Sequence, residues 1–371
     1  MDSAPAGTVA EEAITPAELR LAARNHGLPL EALRYPITPA GLHYLLIHYD
    51  IPAVEPDAFR LEVGGAVERP LSLSLDDLRG RERVSLPVTF ECAGNGRALL
   101  APRPISQPWL TEAVGTAEWA GTPLRPLLDE AGIGATAVEA LFTGLDHGVE
   151  GGVSQAYERS LRLADTEHAL LAYEMNGAPL PPQHGHPLRL VVPGWYGMTN
   201  VKWLARITLL EEPFQGYQQA VGYRLYDAAG VPGEQVTRML PRSLMVPPGV
   251  PDFLTRRRML EPGLVTLTGR AWSGHGPIES VVVSTDGGAT FAPALLDEPL
   301  GDAAWRGWRF EWDAPPGEHL LCSRATDAAG NSQPLEPAWN LKGYANNAVE
   351  RIPVQVGSRK HSARPSARGS T

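Results

Sequence analysis

After about residue 240 the chain loses helical periodicity and becomes a series of short alternating runs broken by turns: VTLTGRAW at 265–272, IESVVVSTDGGATF at 278–291, and WRFEWDAPPGEHLLCSRATDAAGNS at 308–332. Alternation places successive side chains on opposite faces of an extended chain, so each run offers one apolar face that needs cover. Asp-Gly-Gly and Pro-Gly are the pairs that reverse a strand. Several short strands at this spacing predict a β-sandwich of immunoglobulin-like size over 245–356. The proline-rich stretch PRSLMVPPGVPDF, 241–253, reads as the joint in front of it.

The part before the joint is mixed, and an α+β unit over 25–240 is expected. Thr15-Pro16-Ala17-Glu18 supplies an N-cap, a proline at the first helical position and a glutamate three residues after the cap, with Ile14 and Leu19 placed as a staple. Ser74-Leu75-Asp76-Asp77 opens a second short helix. Thr122-Pro123 begins a third that Gly132 ends. Asn176-Gly177 marks a turn, LRLVVPG at 188–194 reads as a buried strand, and VKWLARITL at 201–209 alternates Val201, Trp203, Ala205, Ile207 and Leu209 against Lys202, Arg206 and Thr208. Residues 1–24 form a lead that ends in the first helix, disordered over 1–13, and 357–371 form a polar, basic, disordered tail.

Bulk properties narrow the function. A length of 371 residues allows two domains, and 43% hydrophobic with 20% charged residues fits a water-soluble protein whose apolar runs are all too short to span a bilayer. The net charge is -10 and the pI about 5.5, with no basic stripe beyond Arg256–Arg258 and the tail, which excludes nucleic acid as a partner. The first twenty residues carry neither a positive stretch nor an apolar core, so the expected location is cytoplasmic, or periplasmic if a signal was removed. Two cysteines, Cys92 and Cys322, do not make a disulfide framework.

Cys322 sits in an apolar strand pattern and reads as a small hydrophobe. Cys92 sits differently, in FECAGNGRALL at 90–100, where the strand-like VTFE runs into a flexible AGNG turn and Arg97 favours the thiolate. Three readings are open from the residues: a buried hydrophobe, a nucleophile served by one of ten histidines, or a single thiolate on a metal whose other donors come from an organic cofactor. No CxxC and no HExxH is present, which argues against a tetrahedral zinc site made of protein ligands.

The run ECAGNGR, then Trp109 seventeen residues after the cysteine, EWAGTPL, AYEMNGAPLP, QHGHPLRLVVPGWYGMTNVKWLARI and PAWNLKGYANN resemble, in that order, the sulfite oxidase family of molybdenum enzymes; HGLPLEALRYPITPAGLHYLLIHYDIP resembles the family's entry into its cofactor domain. The resemblance spans about residues 25–356. It implies a molybdopterin-binding domain followed by a sandwich that forms a homodimer. It places Cys92 as the protein ligand to molybdenum, His48, His184, Arg189 and Lys202 on the phosphate of molybdopterin, and Asp146 on the pterin ring. Arg97 and Lys342 hold the substrate anion, Tyr223 lies beside the metal, and Trp109 lines the pocket. The implied reaction is oxidation of sulfite, or a related sulfur oxyanion, to sulfate by oxo transfer; the alternatives are a sulfane dehydrogenase or a sulfoxide or nitrate reductase on the same metal site, with a cofactor-free binding module as the reading from another class. Two positions depart from the family: Leu46 stands where sulfite oxidases carry an arginine, and Lys342 where they carry another. Gly96 likewise stands where many relatives have arginine. No b5-type haem segment and no iron–sulfur cysteine cluster is evident, so the electron acceptor is expected to be external: a cytochrome, a quinone-linked partner or dioxygen.

Overall fold

A computed structural model describes residues 9–10 and 14–357. The expected disordered lead and tail, apart from residues 9–10 and 357, lie outside the described residues.

Helix boundaries follow the local chemistry. Thr15 closes a capping box with Glu18 at the start of Pro16–Ala22, and Ser74 closes another with Asp77 at the start of Leu75–Arg79. The third helix, Leu124–Ala131, ends at Gly132 with φ +73°. Its start differs from expectation: Pro123 is the cap residue, and the Thr122 hydroxyl donates instead to the carbonyl of Leu78, 2.8 Å away. Leu124, Leu127, Leu128 and Ala131 are the buried stripe of that helix.

The stripe packs into a core shared by two sheets. One has the order Leu71–Leu73, Leu61–Gly65, Leu204–Leu210, Glu139–Glu150, Val153–Arg162, with Leu204–Leu210 parallel to Leu61–Gly65 and antiparallel to Glu139–Glu150. The other has the order Ala178–Pro179, Leu170–Met175, Val114–Pro123, Val84–Glu91, with Arg189–Val191 also paired to Leu170–Met175. Val63, Phe142 and Ile207 from the first sheet meet Leu171 and Leu190 from the second. Asn176 (φ 54°) and Gly177 (φ 75°) form the expected turn between Leu170–Met175 and Ala178–Pro179. The alternation read over 201–209 begins late: the strand starts at Leu204, because Trp203 takes a left-handed φ of 48° and donates its indole N–H to the carbonyl of Pro182. A buried indole needs that acceptor, and meeting it breaks the extended run.

The C-terminal part is a sandwich. A four-stranded sheet, Arg242–Met245, Gly263–Trp272, Arg306–Ala314, Leu295–Leu296, faces a six-stranded one, Val250–Pro251, Arg258–Leu260, Ile352–Val356, Gly317–Asp327, Ile278–Ser284, Ala292–Pro293. Leu267, Trp308 and Trp312 from the first pack on Val281, Leu321, Ala325 and Val354 from the second. The runs on either side of the Pro-Gly turn do not pair with each other: Arg306–Ala314 and Gly317–Asp327 belong to opposite sheets, so the turn carries the chain across the sandwich. A third apolar cluster bridges the two parts, joining Leu28, Leu33, Tyr196, Tyr223 and Met239 to Leu244, Trp272 and Trp305. Among the described residues no helix is long and apolar enough to cross a membrane.

Candidate active site

The strand Val84–Glu91 becomes buried toward its end and delivers Cys92 at the point where pairing stops. The Cys92 amide still donates to the carbonyl of Ala113 (2.9 Å), and its own carbonyl accepts the amide of Asn95 (2.9 Å), so the thiol is fixed between a strand and a tight loop. Gly96 at φ +89° gives that loop its reversal, and Arg97 starts a short 3-10 turn, Arg97–Leu99.

Cys92 is 7% exposed and stands at the junction of two cavities. All five residues assigned by resemblance to the cofactor, His48, Asp146, His184, Arg189 and Lys202, line the first with it. Arg97 lines the second. Tyr223, His48 and Leu46 line both. Trp109 is buried in the cluster beneath Cys92 and opens on neither. Burial pushes the Cys92 thiol up; the charge of Arg97, the Gly94 amide and the Trp109 indole act in the opposite direction.

The first cavity is narrow, about 60 Å3, and its cations turn back onto its own wall. Arg189 donates to the carbonyls of His184 (2.9 Å) and Asn200 (3.1 Å) and stacks on Phe90 and Trp119, with ring centres 4.9 and 4.6 Å away. Lys202 donates to the carbonyls of Leu46 (2.8 Å) and Gln183 (3.3 Å). Carbonyls and aromatic faces do not neutralise a charge. Burial lowers Arg189 to about 9, and burial together with the charge of Arg189 lowers Lys202 to about 7. Burial also lowers His48 to about 3, His43 to about 4 and His184 to about 2, and raises Asp146 to about 6. Three buried polar atoms here have no hydrogen-bond partner: Arg189 Nε, Asp146 Oδ1 and His43 Nε2. Such groups also occur elsewhere among the described residues, but three of them lining one cavity beside Cys92 fit a ligand that would complete it. The set calls for a polyanion with a polar ring system.

The second cavity is about 260 Å3. Arg97 lies over Tyr344 at 5.0 Å, with Nε on the carbonyl of Lys342 (2.8 Å) and Nη1 on that of Gln107 (3.2 Å). The phenol of Tyr223 and Nε2 of His48 share a hydrogen bond of 2.5 Å. Burial raises Tyr223 well above its ordinary value, so the phenol keeps its proton. Lys342 differs from the sequence expectation. Only its backbone carbonyl meets Arg97; its ammonium donates to the carbonyls of Val221 (2.5 Å) and Gly222 (3.0 Å), at the end of the π-helical turn Gln218–Gly222. That turn exposes carbonyls without amide partners, and a flexible cation three donors wide satisfies them.

Sequence reasoning missed several of these residues. His43, Tyr44, Tyr157 and Asn200 line the first cavity, and Tyr49, Gln107, Glu150 and Tyr344 the second. His43, Tyr44, Tyr49, Asn200 and Tyr344 lie inside the motif segments quoted above but were not singled out within them, while Gln107, Glu150 and Tyr157 lie outside those segments. Glu150 is notable because it brings a carboxylate, held by Gln218 (2.5 Å) and Tyr49 (3.3 Å), into the wall that also carries Arg97.

Residues 48–218 match the family profile of the oxidoreductase molybdopterin binding domain, and residues 237–357 that of the Mo-co oxidoreductase dimerisation domain. The mitochondrial sulfite oxidase of Homo sapiens is 39% identical over 86% of this chain and 62% of that one, so the chain spans about three-fifths of that relative's length. The sulfite oxidase of Gallus gallus is 36% identical over 85% of this chain and 72% of that one. Among solved structures, the sulfane dehydrogenase SoxCD from Paracoccus pantotrophus superposes with a TM-score of 0.79 at 27% identity, covering 92% of this chain and 86% of that one. With the CAGN cysteine, the cationic cavity beside it and two consecutive family profiles in one chain, this protein belongs to the sulfite oxidase family of molybdopterin oxidoreductases.

Proposed function

We propose that the chain oxidises sulfite, or a closely related sulfur compound, at a molybdenum centre held by Cys92. The observation that carries this is the position of the thiol, at the meeting point of a cavity lined with buried, unneutralised cations and a second one lined by Arg97 and Tyr223. Arg189, Lys202, His48 and His184 fit the phosphate of molybdopterin and Asp146 fits the pterin, with the partnerless Nε of Arg189 and Oδ1 of Asp146 as the atoms left to be satisfied. When bound, molybdopterin would supply two-electron oxygen-atom-transfer chemistry. The chain does the rest. The Cys92 thiolate adds a soft donor to a sulfur-rich metal site. Arg97, held by two carbonyls and a ring face, presents a fixed positive charge to a sulfur oxyanion. The phenol of Tyr223, still protonated, would donate a hydrogen bond to a bound oxyanion with His48 Nε2 donating to its oxygen, and Trp109 packs beside the thiol. Electrons leave to an external acceptor. We divide the chain into a cofactor unit over 25–240 and an immunoglobulin-like unit over 245–356 that joins two copies.

The deciding experiment is molybdenum and pterin content of the purified protein together with steady-state sulfite oxidation. Stoichiometric cofactor and sulfite turnover are expected; a protein that binds neither would overturn the reading.

A second reading is favoured by one set of observations. Leu46 lies in the wall of the second cavity, the Lys342 ammonium is engaged by the carbonyls of Val221 and Gly222, and Glu150 adds a carboxylate. One arginine facing one carboxylate is a weak trap for a dianion and suits an uncharged or chain-borne sulfur, as in sulfane or sulfoxide chemistry. Comparing kcat/KM for sulfite, methionine sulfoxide and nitrate separates the two.

A further inference from the structure

Glu91, immediately before Cys92, is 2% exposed, and two of the groups that meet its carboxylate come from the C-terminal sandwich. Arg242 places Nη1 3.1 Å from Oε1, and Trp272 donates its indole N–H to Oε2 at 2.9 Å. Arg242 and Trp272 are directly paired across the adjacent strands Arg242–Met245 and Gly263–Trp272, so one rung of the sandwich presents a positive charge and an indole donor to one carboxylate. The third group is local: Asn95 Nδ2 reaches Oε1 at 3.0 Å and the carbonyl of Thr111 at 3.1 Å. Arg242 also grips the far side of the cysteine loop. Its Nη2 donates to the carbonyl of Asn346, whose Nδ2 donates to the carbonyl of Gly96 at 2.8 Å. A Cβ on Gly96 would stand 2.9 Å from Asn346 Nδ2 and 3.1 Å from Arg242 Nη2, so the loop has no slack there.

We propose that Arg242 is a positioning residue for the thiol of Cys92, fixing from the second domain the backbone on both sides of the cysteine. A buried ion pair is a poor source of net stability, since desolvating both partners offsets their attraction. What a planar, 1% exposed guanidinium does supply is position: Nη2 is tied by its hydrogen bond to the carbonyl of Asn346, while the charge of Nη1 lies 3.1 Å from Glu91 Oε1 without a hydrogen bond to it. Both arms here end within two bonded neighbours of the Cys92 loop: one on the residue before the thiol, the other, through Asn346, on Gly96 after it. The orientation of the thiol is therefore set across the domain boundary. This inference rests on the reading of Cys92 as the molybdenum ligand.

The test uses purified holoenzyme and reads the thiolate-to-metal charge-transfer absorption, turnover per bound molybdenum and KM. The informative variant is the double exchange Glu91→Gln with Arg242→Met, which removes both charges and leaves neither buried alone. Leu267→Ala in the sandwich core serves as a control that destabilises without touching the loop. In the double variant the absorption band shifts and kcat per molybdenum falls by at least about tenfold, the order expected when a reacting group is slightly misplaced; KM moves little, because Arg97 is untouched. Arg242→Lys, which keeps the charge and loses the fork, shifts the band in the same direction by less, and serves if the double variant does not load metal. A double variant, or a lysine variant, with band and kcat per molybdenum equal to those of the Leu267→Ala control overturns the proposal. Cys92→Ser distinguishes the underlying reading: if it keeps the band, Cys92 is not the ligand and that reading fails by itself.

Discussion

At the scale of single residues, the site gathers the buried cations Arg189 and Lys202 with one carboxylate, Asp146, in a single cavity wall. Cys92→Ser is expected to abolish turnover per chain while the thermal midpoint stays near wild type, since the change is nearly isosteric and a hydroxyl is a poor ligand for a soft metal. Arg189→Ala and Lys202→Ala should lower molybdenum content more than the rate per bound molybdenum; full metal content with collapsed turnover would instead put them in the substrate pocket. The same charges predict a pH signature in protein purified without cofactor. Lys202 titrates near 7 in the fold and near 10.5 unfolded, so between those values the unfolded chain binds the extra proton and stability rises with pH. The penalty is fully present below pH 7. The thermal midpoint should therefore climb from pH 7 to 9 in the wild type and climb less in Lys202→Met. His43, His48 and His184, held neutral with lowered values, carry the same sign in the acid range and lose stability as pH falls below about 6.5. A midpoint flat in both proteins across pH 7–9 would mean Lys202 is hydrated.

At the scale of elements, the π-helical turn Gln218–Gly222 is the unit that sets Tyr223, which follows it directly. Lys342 caps its last carbonyls from a segment more than a hundred residues away in sequence. Lys342→Met should destabilise the fold by about 1.5–3 kcal/mol, the range for hydrogen bonds from a charged donor, and lower kcat through Tyr223 with sulfite KM little changed. A steep rise in KM alone would return Lys342 to the anion. Leu46→Arg approaches the same question from the wall of the second cavity: on the sulfite reading a new cation there lowers KM for sulfite by roughly tenfold, equivalent to about 1.4 kcal/mol of added anion binding.

At the scale of the whole molecule, the two halves share the apolar cluster around Tyr223, Met239, Trp272 and Trp305 and the polar network through Arg242. Because these contacts are buried and lie under the site, calorimetry should record one cooperative unfolding transition, not two. Two well-separated transitions would show that the halves do not brace one another. The dimerisation-domain match adds a second expectation, a solution mass of twice 40.0 kDa by light scattering.

What the sequence determined by itself were the features written in neighbouring residues. The capping boxes at Thr15 and Ser74, the turn at Asn176-Gly177 and the strand character of the C-terminal runs depend on contacts one to four residues apart, and each is present. The position of Cys92 at a strand end was legible for the same reason, and the colinear motifs identified the family. Tertiary structure decided what depends on which distant atoms arrive nearby. Lys342 could be aligned with an arginine, but where its ammonium ends is fixed by the carbonyls that a π-helical turn happens to leave open. Trp203 left its alternating pattern to find an acceptor, and the two runs around Pro315-Pro316-Gly317 parted into opposite sheets because each apolar face needed the other as cover. Glu150 and Arg242 carry no local signal at all. Their roles exist only because burial presses polar groups toward partners, and in this fold the partners of these two come from across the chain.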